Sequence, residues 1–249
     1  MVETPDTPVF YHLLADDYDR LFPVTDQQRR FLVELVEDRR IRRVLDVACG
    51  SGEQAGVFRA LGLDVSALEN DEKMLGLVRG KDPAIDVRLG SMECVAELFE
   101  PGFDLVLCIG NSLPHLADLD AVSRTLDGMR SLLNVGGTLL VSIVNFDRVM
   151  RDRIDALPVK RVTDASGRPM TFERFYDLSG LPERVIFRMK LSVGEETHTA
   201  SVTLIPLSPD WLTDQIAGLG LEIVGRYAGF DGAPFGPNSM SLVLVAARG

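Results

Sequence analysis

The chain has 249 residues, of which 46% are hydrophobic and 25% charged, a balance typical of one folded α/β domain with its own core. Its 37 acidic and 26 basic residues give a net charge of −11, which disfavours a nucleic-acid partner because such proteins need a basic face for phosphates. No apolar run reaches the roughly 20 residues of a membrane helix and the first residues lack a signal-peptide pattern, so we expect a cytoplasmic protein without a membrane partner.

The first forty residues predict an N-terminal arm. Aromatic and acidic residues are mixed from Phe10 to Phe22, and an apolar stripe at helical spacing follows over 31–36. We expect helices within 9–40 that pack against the rest of the chain.

Strands and helices then alternate up to residue 144. The predicted strands are 43–48, 64–69, 85–89, 103–109 and 138–144, and the predicted helices are 53–61, 71–79 and 118–133. Because such an alternation forms a parallel sheet with helices on both faces, the predicted fold class is α/β.

The alternation stops after the fifth strand. The remaining predicted strands are 168–178, 183–193, 197–205, 221–227 and 241–247, with a helix that begins at Ser208-Pro209. The first three of these strands predict an antiparallel meander, which makes a β lid inserted at about 150–207. With no internal repeat, we expect residues 1–249 to form a single domain.

The segment Val44–Gly52 carries the strongest functional signal. A buried strand ends in the acid Asp46 and continues into the turn Gly50-Ser-Gly52, which opens a helix. Glycines let the backbone turn sharply and approach a ligand. Glu69 ends the next strand, where its carboxylate can accept both hydroxyls of a ribose. The pattern predicts a nucleoside site at the carboxyl edge of a parallel sheet.

Two nucleosides fit this pattern. Gly50, Gly52 and Ala55 match the loose dinucleotide fingerprint of an NAD(P)-dependent oxidoreductase. Asp46 would repel a pyrophosphate, whereas it would attract the ammonium and sulfonium of S-adenosylmethionine. The residues therefore favour S-adenosyl-L-methionine as the cofactor, and a non-catalytic protein that binds it stays open as a further alternative.

The order of the motifs resembles the class I S-adenosylmethionine-dependent methyltransferases, in the small-molecule branch around glycine N-methyltransferase. The matching segments are Val44–Gly50, Glu69–Leu75, Phe103-Asp104, Gly110–Leu116 and Asn145–Asp147. The resemblance implies a Rossmann-like, seven-stranded, mostly parallel sheet of order 3-2-1-4-5-7-6. It also implies methyl transfer to nitrogen or oxygen of a small molecule, by a monomer or homodimer.

The resemblance also implies which residues bind the cofactor. The backbone of Ala48, Gly50 and Gly52 would pack against the methionine portion, and Glu69 would hold the ribose. Tyr11 and Tyr18 would close over the sulfonium or simply anchor the arm, and Met92 would cover the adenine or fill the core. The full predicted set is Tyr11, Tyr18, Asp46, Ala48, Gly50, Gly52, Glu69, Asn70, Ser91, Met92 and Ile109.

Asn111 and His115 are the predicted catalytic residues. They follow the fourth strand, at the edge where open α/β sheets bind ligands. Asn111 could orient an acceptor through its amide, and His115, with an unperturbed pKa near ~6.5, could take a proton or merely bond a loop carbonyl. Methyl transfer needs no metal, and the three scattered cysteines form no metal motif, so we expect no metal site.

One departure from the family pattern bears on the substrate. Glycine-methylating enzymes have an arginine for the substrate carboxylate at the position that Val144 occupies here. We therefore expect that free glycine is not the acceptor. Phe172, Arg174 and Tyr176 on the lid would suit a planar or anionic acceptor, or would only pack the small sheet against the body.

Overall fold

The computed structural model describes residue 12 and residues 14–249. Its strands are β1 Arg43–Val47, β2 Asp64–Glu69, β3 Asp86–Leu89, β4 Phe103–Cys108, β5 Leu133–Val144, β6 Lys160–Thr163, β7 Pro169–Asp177, β8 Val185–Val193, β9 Glu196–Leu204, β10 Leu221–Tyr227 and β11 Ser241–Arg248. Its α-helices are α1 Tyr18–Leu21, α2 Asp26–Arg39, α3 Glu53–Ala60, α4 Glu72–Lys81, α5 Val95–Leu98, α6 Leu119–Leu132, α7 Phe146–Arg151 and α8 Pro209–Gly218. Short 3₁₀ turns cover Ala15–Asp17, Met92–Cys94 and Leu113–His115.

Seven strands form the main sheet in the order β10-β11-β5-β4-β1-β2-β3. The strands β1 to β5 pair in parallel, while β11 is antiparallel to both β5 and β10. This confirms the predicted order 3-2-1-4-5-7-6 when β10 and β11 are counted sixth and seventh. Helices cover both faces of the sheet, so its central strands are buried on both sides, which explains their continuous apolar runs.

The helices begin where side chains can bond the free backbone N–H groups of the first turn. Asp71 Oδ1 accepts from the Met74 N–H at 2.9 Å and starts α4, and Asp118 Oδ1 accepts from the Ala121 N–H at 2.7 Å and starts α6. Both caps stand directly after the carboxyl-edge loops. They fix where each loop ends, and so they fix the residues that face the edge.

The insertion forms a four-stranded antiparallel sheet of order β6-β7-β8-β9. The sequence analysis predicted three strands and missed β6, because four residues with two partly buried positions give too short an alternation to recognise. One face of this sheet packs against the N-terminal arm. Its apolar contacts are formed by Leu14, Leu21, Met170, Phe172, Met189, Leu191 and Ala200.

Gly52 in the loop before α3 is tightly packed, whereas Gly62 after the same helix is not. Gly52 and Gly62 have nearly the same φ, +80° and +78°, but a Cβ on Gly52 would lie 3.0 Å from Val78 Cγ2, while a Cβ on Gly62 would meet nothing within 4 Å among the described residues. Gly62→Ala carries only the left-handed backbone strain of about 1–2 kcal/mol. We expect Gly52→Ala to reduce the free energy of unfolding by about 1–3 kcal/mol more, because it overpacks the site.

Urea unfolding of the two variants measures this difference. Adding Val78→Ala to Gly52→Ala should recover part of the loss, since it removes the methyl groups that the new Cβ meets. Equal losses for the two single variants would show that the contact with Val78 costs nothing.

Candidate functional site

The loop after β1 brings the backbone to the carboxyl edge of the sheet. Ala48 adopts a φ of +59°, a left-handed conformation that is uncommon for a residue with a side chain and is typical of ligand loops. Gly50 has a φ of +57°, which favours glycine, and a Cβ at this position would be in ordinary van der Waals contact with the Tyr18 ring at 3.5 Å, so α1 lies directly over the loop. The loop therefore lies between the end of β1 and the Tyr18 ring.

Glu69 is buried at the end of β2 and holds three backbone N–H groups. Its Oε2 accepts from Gly50 at 2.7 Å, and its Oε1 accepts from Asn70 at 2.9 Å and from Asp71 at 3.0 Å. Burial raises the pKa of Glu69, and these N–H groups act in the opposite direction. A carboxylate has about four acceptor positions, so about one stays open on Oε2 for a ligand hydroxyl.

Asp46 is a buried acid beneath the same loop. It is 1% exposed, and its Oδ2 has no hydrogen-bond partner within the described part of the chain. Burial, and then the nearby charge of Glu69, raises the pKa of Asp46 to about 8. A cation bound above the loop would supply the opposite charge that the protein itself does not provide here.

Two adjoining cavities open at this edge. The first has a volume of about 360 Å³ and is lined by Glu69, Asn70, Asp71, Met74 and Met92 among others. The second has a volume of about 440 Å³ and reaches from Ile109 and Asn111 to the insertion sheet. The residues that line both are Tyr18, Ala48, Gly50, Gly110, Ser112 and His115. These shared residues mark the place where ligands in the two cavities would meet.

His115 lies at this boundary in a neutral state. Burial lowers its pKa to about 4, which corrects the expectation of an unperturbed histidine. The reason is the insertion: the Ile205 N–H bonds the Pro114 carbonyl at 2.9 Å, so the end of β9 covers the turn that carries His115. At neutral pH the imidazole is therefore a weak base that can still donate or accept a hydrogen bond.

Asn111 is held rigidly in the wall of the second cavity. It has a φ of +69°, and its Oδ1 accepts from the Val144 N–H at 2.9 Å. The amide oxygen thus ties the loop after β4 to the end of β5. Its role toward an acceptor stays a prediction, in which the amide N–H₂ and the second lone pair of Oδ1 could contact a ligand.

The other predicted residues fall into three groups. Ile109 lines the second cavity, and Asn70 and Met92 line the first. Gly52 and Ser91 do not line either of these two cavities. Gly52 packs on Val78, and Ser91 Oγ accepts a hydrogen bond from the Glu93 N–H at 3.3 Å. Tyr11 lies outside the described residues.

The sequence analysis missed two groups of polar residues at this site. Lys160 on β6 lines the second cavity, and no sequence motif marks it. The second group joins α1 to the loop: Asp19 accepts from the Ser51 hydroxyl, and Lys81 bonds both Asp19 and the Ser51 carbonyl. These residues are far apart in sequence, so only the folded chain reveals the contact.

Within the described residues, no group of acids, histidines and cysteines is arranged to hold a metal ion. In the same part of the chain, no helix is both long enough and apolar enough to cross a membrane.

Comparison with known proteins agrees with the resemblance found in the sequence. Residues 44–137 match the model of a methyltransferase domain. Glycine N-methyltransferase from Oryctolagus cuniculus is 29% identical over 143 residues, which cover 51% of this chain and 48% of that protein. The chain thus spans about half the length of this curated relative. Residues 44–137 thus match a methyltransferase domain, and the chain is similar to class I S-adenosylmethionine-dependent methyltransferases.

Solved structures agree with the methyltransferase fold over nearly the whole chain. A methyltransferase from Clostridium acetobutylicum has a TM-score of 0.77 at 14% identity, with 97% of this chain and 98% of that chain covered. The CcbJ methyltransferase from Streptomyces caelestis has a TM-score of 0.76 at 24% identity, with 94% and 96% covered. The similarity therefore includes the insertion sheet as well as the main sheet.

The residues at this edge of the sheet fit S-adenosylmethionine, the cofactor named for several of the similar proteins. Glu69 offers an open acceptor position for a ribose hydroxyl. Asp46 lines neither cavity and holds its proton at neutral pH without a ligand, but a cation bound above the loop would favour its ionised form. The Tyr18 ring lies next to Gly50 and lines both cavities, where it would be available to contact a sulfonium. The first cavity and the shared boundary would hold the cofactor.

The raised pKa of Asp46 predicts a pH dependence of stability. In the folded protein the pKa of Asp46 is about 8, above the value near ~3.9 expected in the unfolded chain. The folded state therefore binds the proton of Asp46 more tightly than the unfolded state does. The stabilisation that results is fully present below about pH 4 and is lost as the pH rises through 8. Asp46→Asn has no such proton. We expect the wild-type advantage over Asp46→Asn to fall between pH 5 and pH 8, by up to about 1.4 kcal/mol per pH unit.

Urea unfolding at several pH values, without ligand, measures this slope. Asp120→Asn at an exposed position of α6 is the matched control and should show a constant difference from wild type. A constant difference for Asp46→Asn as well would show that Asp46 is already ionised in the folded protein.

Proposed function

We propose that this protein transfers a methyl group from S-adenosylmethionine to a nitrogen or oxygen of a small-molecule acceptor. The observation that carries the proposal is the pair of cavities that share Tyr18, Gly50 and His115 at their boundary. A cofactor in one and an acceptor in the other would bring the reacting atoms together there. The net charge of −11 supports a small molecule over a nucleic acid.

S-adenosylmethionine, when bound, would supply an electrophilic methyl carbon: the acceptor lone pair would bond to this carbon in line as its bond to sulfur breaks, S-adenosylhomocysteine would leave, and the acceptor's proton would pass to water. The protein contributes alignment and exclusion of water, which supply most of the acceleration in such a displacement. Tyr18 closes one side, held by the contact of α1 with Ser51, and the insertion sheet closes the other. Neutral His115 serves as a hydrogen-bond partner that orients the acceptor, because its low pKa makes it a weak base.

The ribose contact gives the first test. S-adenosylhomocysteine and its analogue without the ribose 2′-hydroxyl should differ about tenfold in Kd for wild type, since one bond to a carboxylate contributes about 1.5–3 kcal/mol. Glu69→Gln should weaken the binding of both ligands and reduce the difference between their Kd values. Isothermal titration measures these Kd values, and the 3′-deoxy analogue identifies which hydroxyl is bound.

The ligand comparison separates a ribose contact from loop damage. Loss of the three backbone bonds of Glu69 alone would weaken the two ligands equally. Glu72→Gln, at an exposed position in the first turn of α4, is the control and should leave both Kd values unchanged. Tighter binding of NAD than of S-adenosylhomocysteine would instead favour the oxidoreductase alternative.

The acceptor gives the second test. Relatives of this chain are named glycine and glycine/sarcosine N-methyltransferases, but Val144 offers no charge to a glycine carboxylate. A carboxylate buried against Val144 would lack a charged partner at that position, which costs several kcal/mol. We therefore expect no efficient turnover of glycine or sarcosine, and turnover of larger amines or phenols that fill the 440 Å³ cavity.

Release of S-adenosylhomocysteine, measured by mass spectrometry over a metabolite panel, checks this expectation. Turnover of glycine at about 1–10³ per second would contradict it. Binding of S-adenosylhomocysteine without turnover of any compound would favour a non-catalytic binding protein.

A further inference from the structure

Two basic side chains of the insertion sheet face the second cavity. Lys160 on β6 pairs with Phe172 on β7, and Arg174 stands two residues beyond Phe172 and therefore on the same face. Both line the cavity and both are half-buried. Lys160 Nζ lies 4.2 Å from the centre of the Phe22 ring, and Arg174 Cζ lies 5.9 Å from the same centre.

The two cations have no acidic partner in residue 12 or residues 14–249. Lys160 Nζ donates to the Leu21 carbonyl, and Arg174 Nη2 donates to the Pro158 carbonyl at 2.9 Å. Arg174 Nε is buried without any hydrogen-bond acceptor in the described structure. Glu53 is the one carboxylate among the described residues that line this cavity, and it is paired with Lys81 at 3.0 Å.

Two other cations of the same sheet are paired. Arg188 bonds Asp177 at 2.7 Å and Lys190 bonds Glu173 at 2.9 Å, both on the outer face. In a chain with 37 acidic and 26 basic residues, acidic partners are abundant. Burial and the charge of Arg174 lower the pKa of Lys160 to about 8, so the pair is held against mutual repulsion and desolvation. An anion between them would relieve both costs.

We propose that Lys160 and Arg174 bind an anionic group of the methyl acceptor, a carboxylate or a phosphate. The proposal rests on the proposed methyl transfer and names the substrate class: an amine or hydroxyl compound with an anionic group remote from the reacting atom. The guanidinium can bond the anion through Nε, and the ammonium adds a second charge. Phe22 and Phe172, which meet edge to face with centres 5.7 Å apart, line the path of the acceptor.

The cofactor itself offers a competing anion. S-adenosylmethionine carries a carboxylate, and the second cavity also borders Gly50 and Ser51 of the cofactor loop. The two assignments differ in what Lys160 and Arg174 control. If Lys160 and Arg174 bind the acceptor, their substitution leaves the binding of S-adenosylhomocysteine unchanged. If they bind the cofactor carboxylate, their substitution weakens the binding of S-adenosylhomocysteine.

The test uses the full chain with Lys160→Gln and Arg174→Gln, and with Arg174→Lys to keep the charge. Arg188→Gln and Lys190→Gln on the outer face are matched controls. Thermal melting first selects variants that fold. Isothermal titration then measures S-adenosylhomocysteine alone, followed by anthranilate, anthranilamide and phenyl phosphate added to the protein saturated with S-adenosylhomocysteine.

We expect S-adenosylhomocysteine to bind all variants with the wild-type Kd. An anionic probe should bind wild type and the two controls at least about tenfold more tightly than anthranilamide. Each Gln variant should lose this preference, and Arg174→Lys should retain part of it. Whichever of anthranilate and phenyl phosphate binds more tightly shows whether the site prefers a carboxylate or a phosphate.

Two results would overturn the assignment. If wild type binds the anionic and neutral probes equally, the cavity has no anion site. If the Gln variants bind S-adenosylhomocysteine more weakly than wild type does, Lys160 and Arg174 bind the cofactor instead. Failure of wild type to bind S-adenosylhomocysteine at all would instead refute the proposed methyl transfer, so the two failures are distinct.

Discussion

The carboxylate of Glu69 connects the parts of the site. It ends β2, yet it accepts N–H bonds from the loop after β1 and from the start of the turn before α4. These bonds hold two separate loops in one arrangement, because a buried carboxylate left without its donors costs far more than any single bond gains. Gly50 is thereby placed under Tyr18, and the first cavity acquires its wall. Glu69 thus lines the first cavity with its carboxylate already held in place, and one acceptor position would remain for a ligand.

Charge is distributed unevenly along the two cavities. The first is bordered by acids, Glu69 and Asp71, with Asp46 buried beneath the loop. The far end of the second carries the cations Lys160 and Arg174. This polarity favours a cationic ligand on one side and an anionic one on the other. A positively charged cofactor and a negatively charged acceptor would also attract each other across the boundary, which aligns them before reaction.

The cofactor end of the site was accessible from sequence because its determinants are local. The strand, the acid and the glycine turn are contiguous, and the acid of the next strand reaches the same edge whenever the strands are parallel. The sheet order followed from the resemblance, and the structure confirms it. The placement of Asn111 and His115 at the edge followed from the same rule about strand ends.

The acceptor end was not accessible in the same way. The pKa of His115 depends on its cover by the end of β9, a contact between residues about ninety positions apart in the chain. The position of Lys160 depends on β6, whose four residues join a sheet only because β7 offers a free edge. Neither effect leaves a periodic pattern or a motif, since both are set by tertiary contacts.

The methyltransferase match, residues 44–137, includes Asp46 and Glu69, and reaches His115 at the boundary of the two cavities, but it ends before Val144, Lys160 and Arg174. Similarity in that segment thus concerns the half of the site that any member of the superfamily needs for its cofactor. In the proposed function, the walls that contact the acceptor come from the N-terminal arm and from the insertion sheet, through side chains such as Phe22, Lys160 and Arg174, which backbone pairing of the strands does not require. Such side chains can change without disturbing the cofactor loop, so acceptor choice is free to diverge while the fold and its cofactor end stay the same.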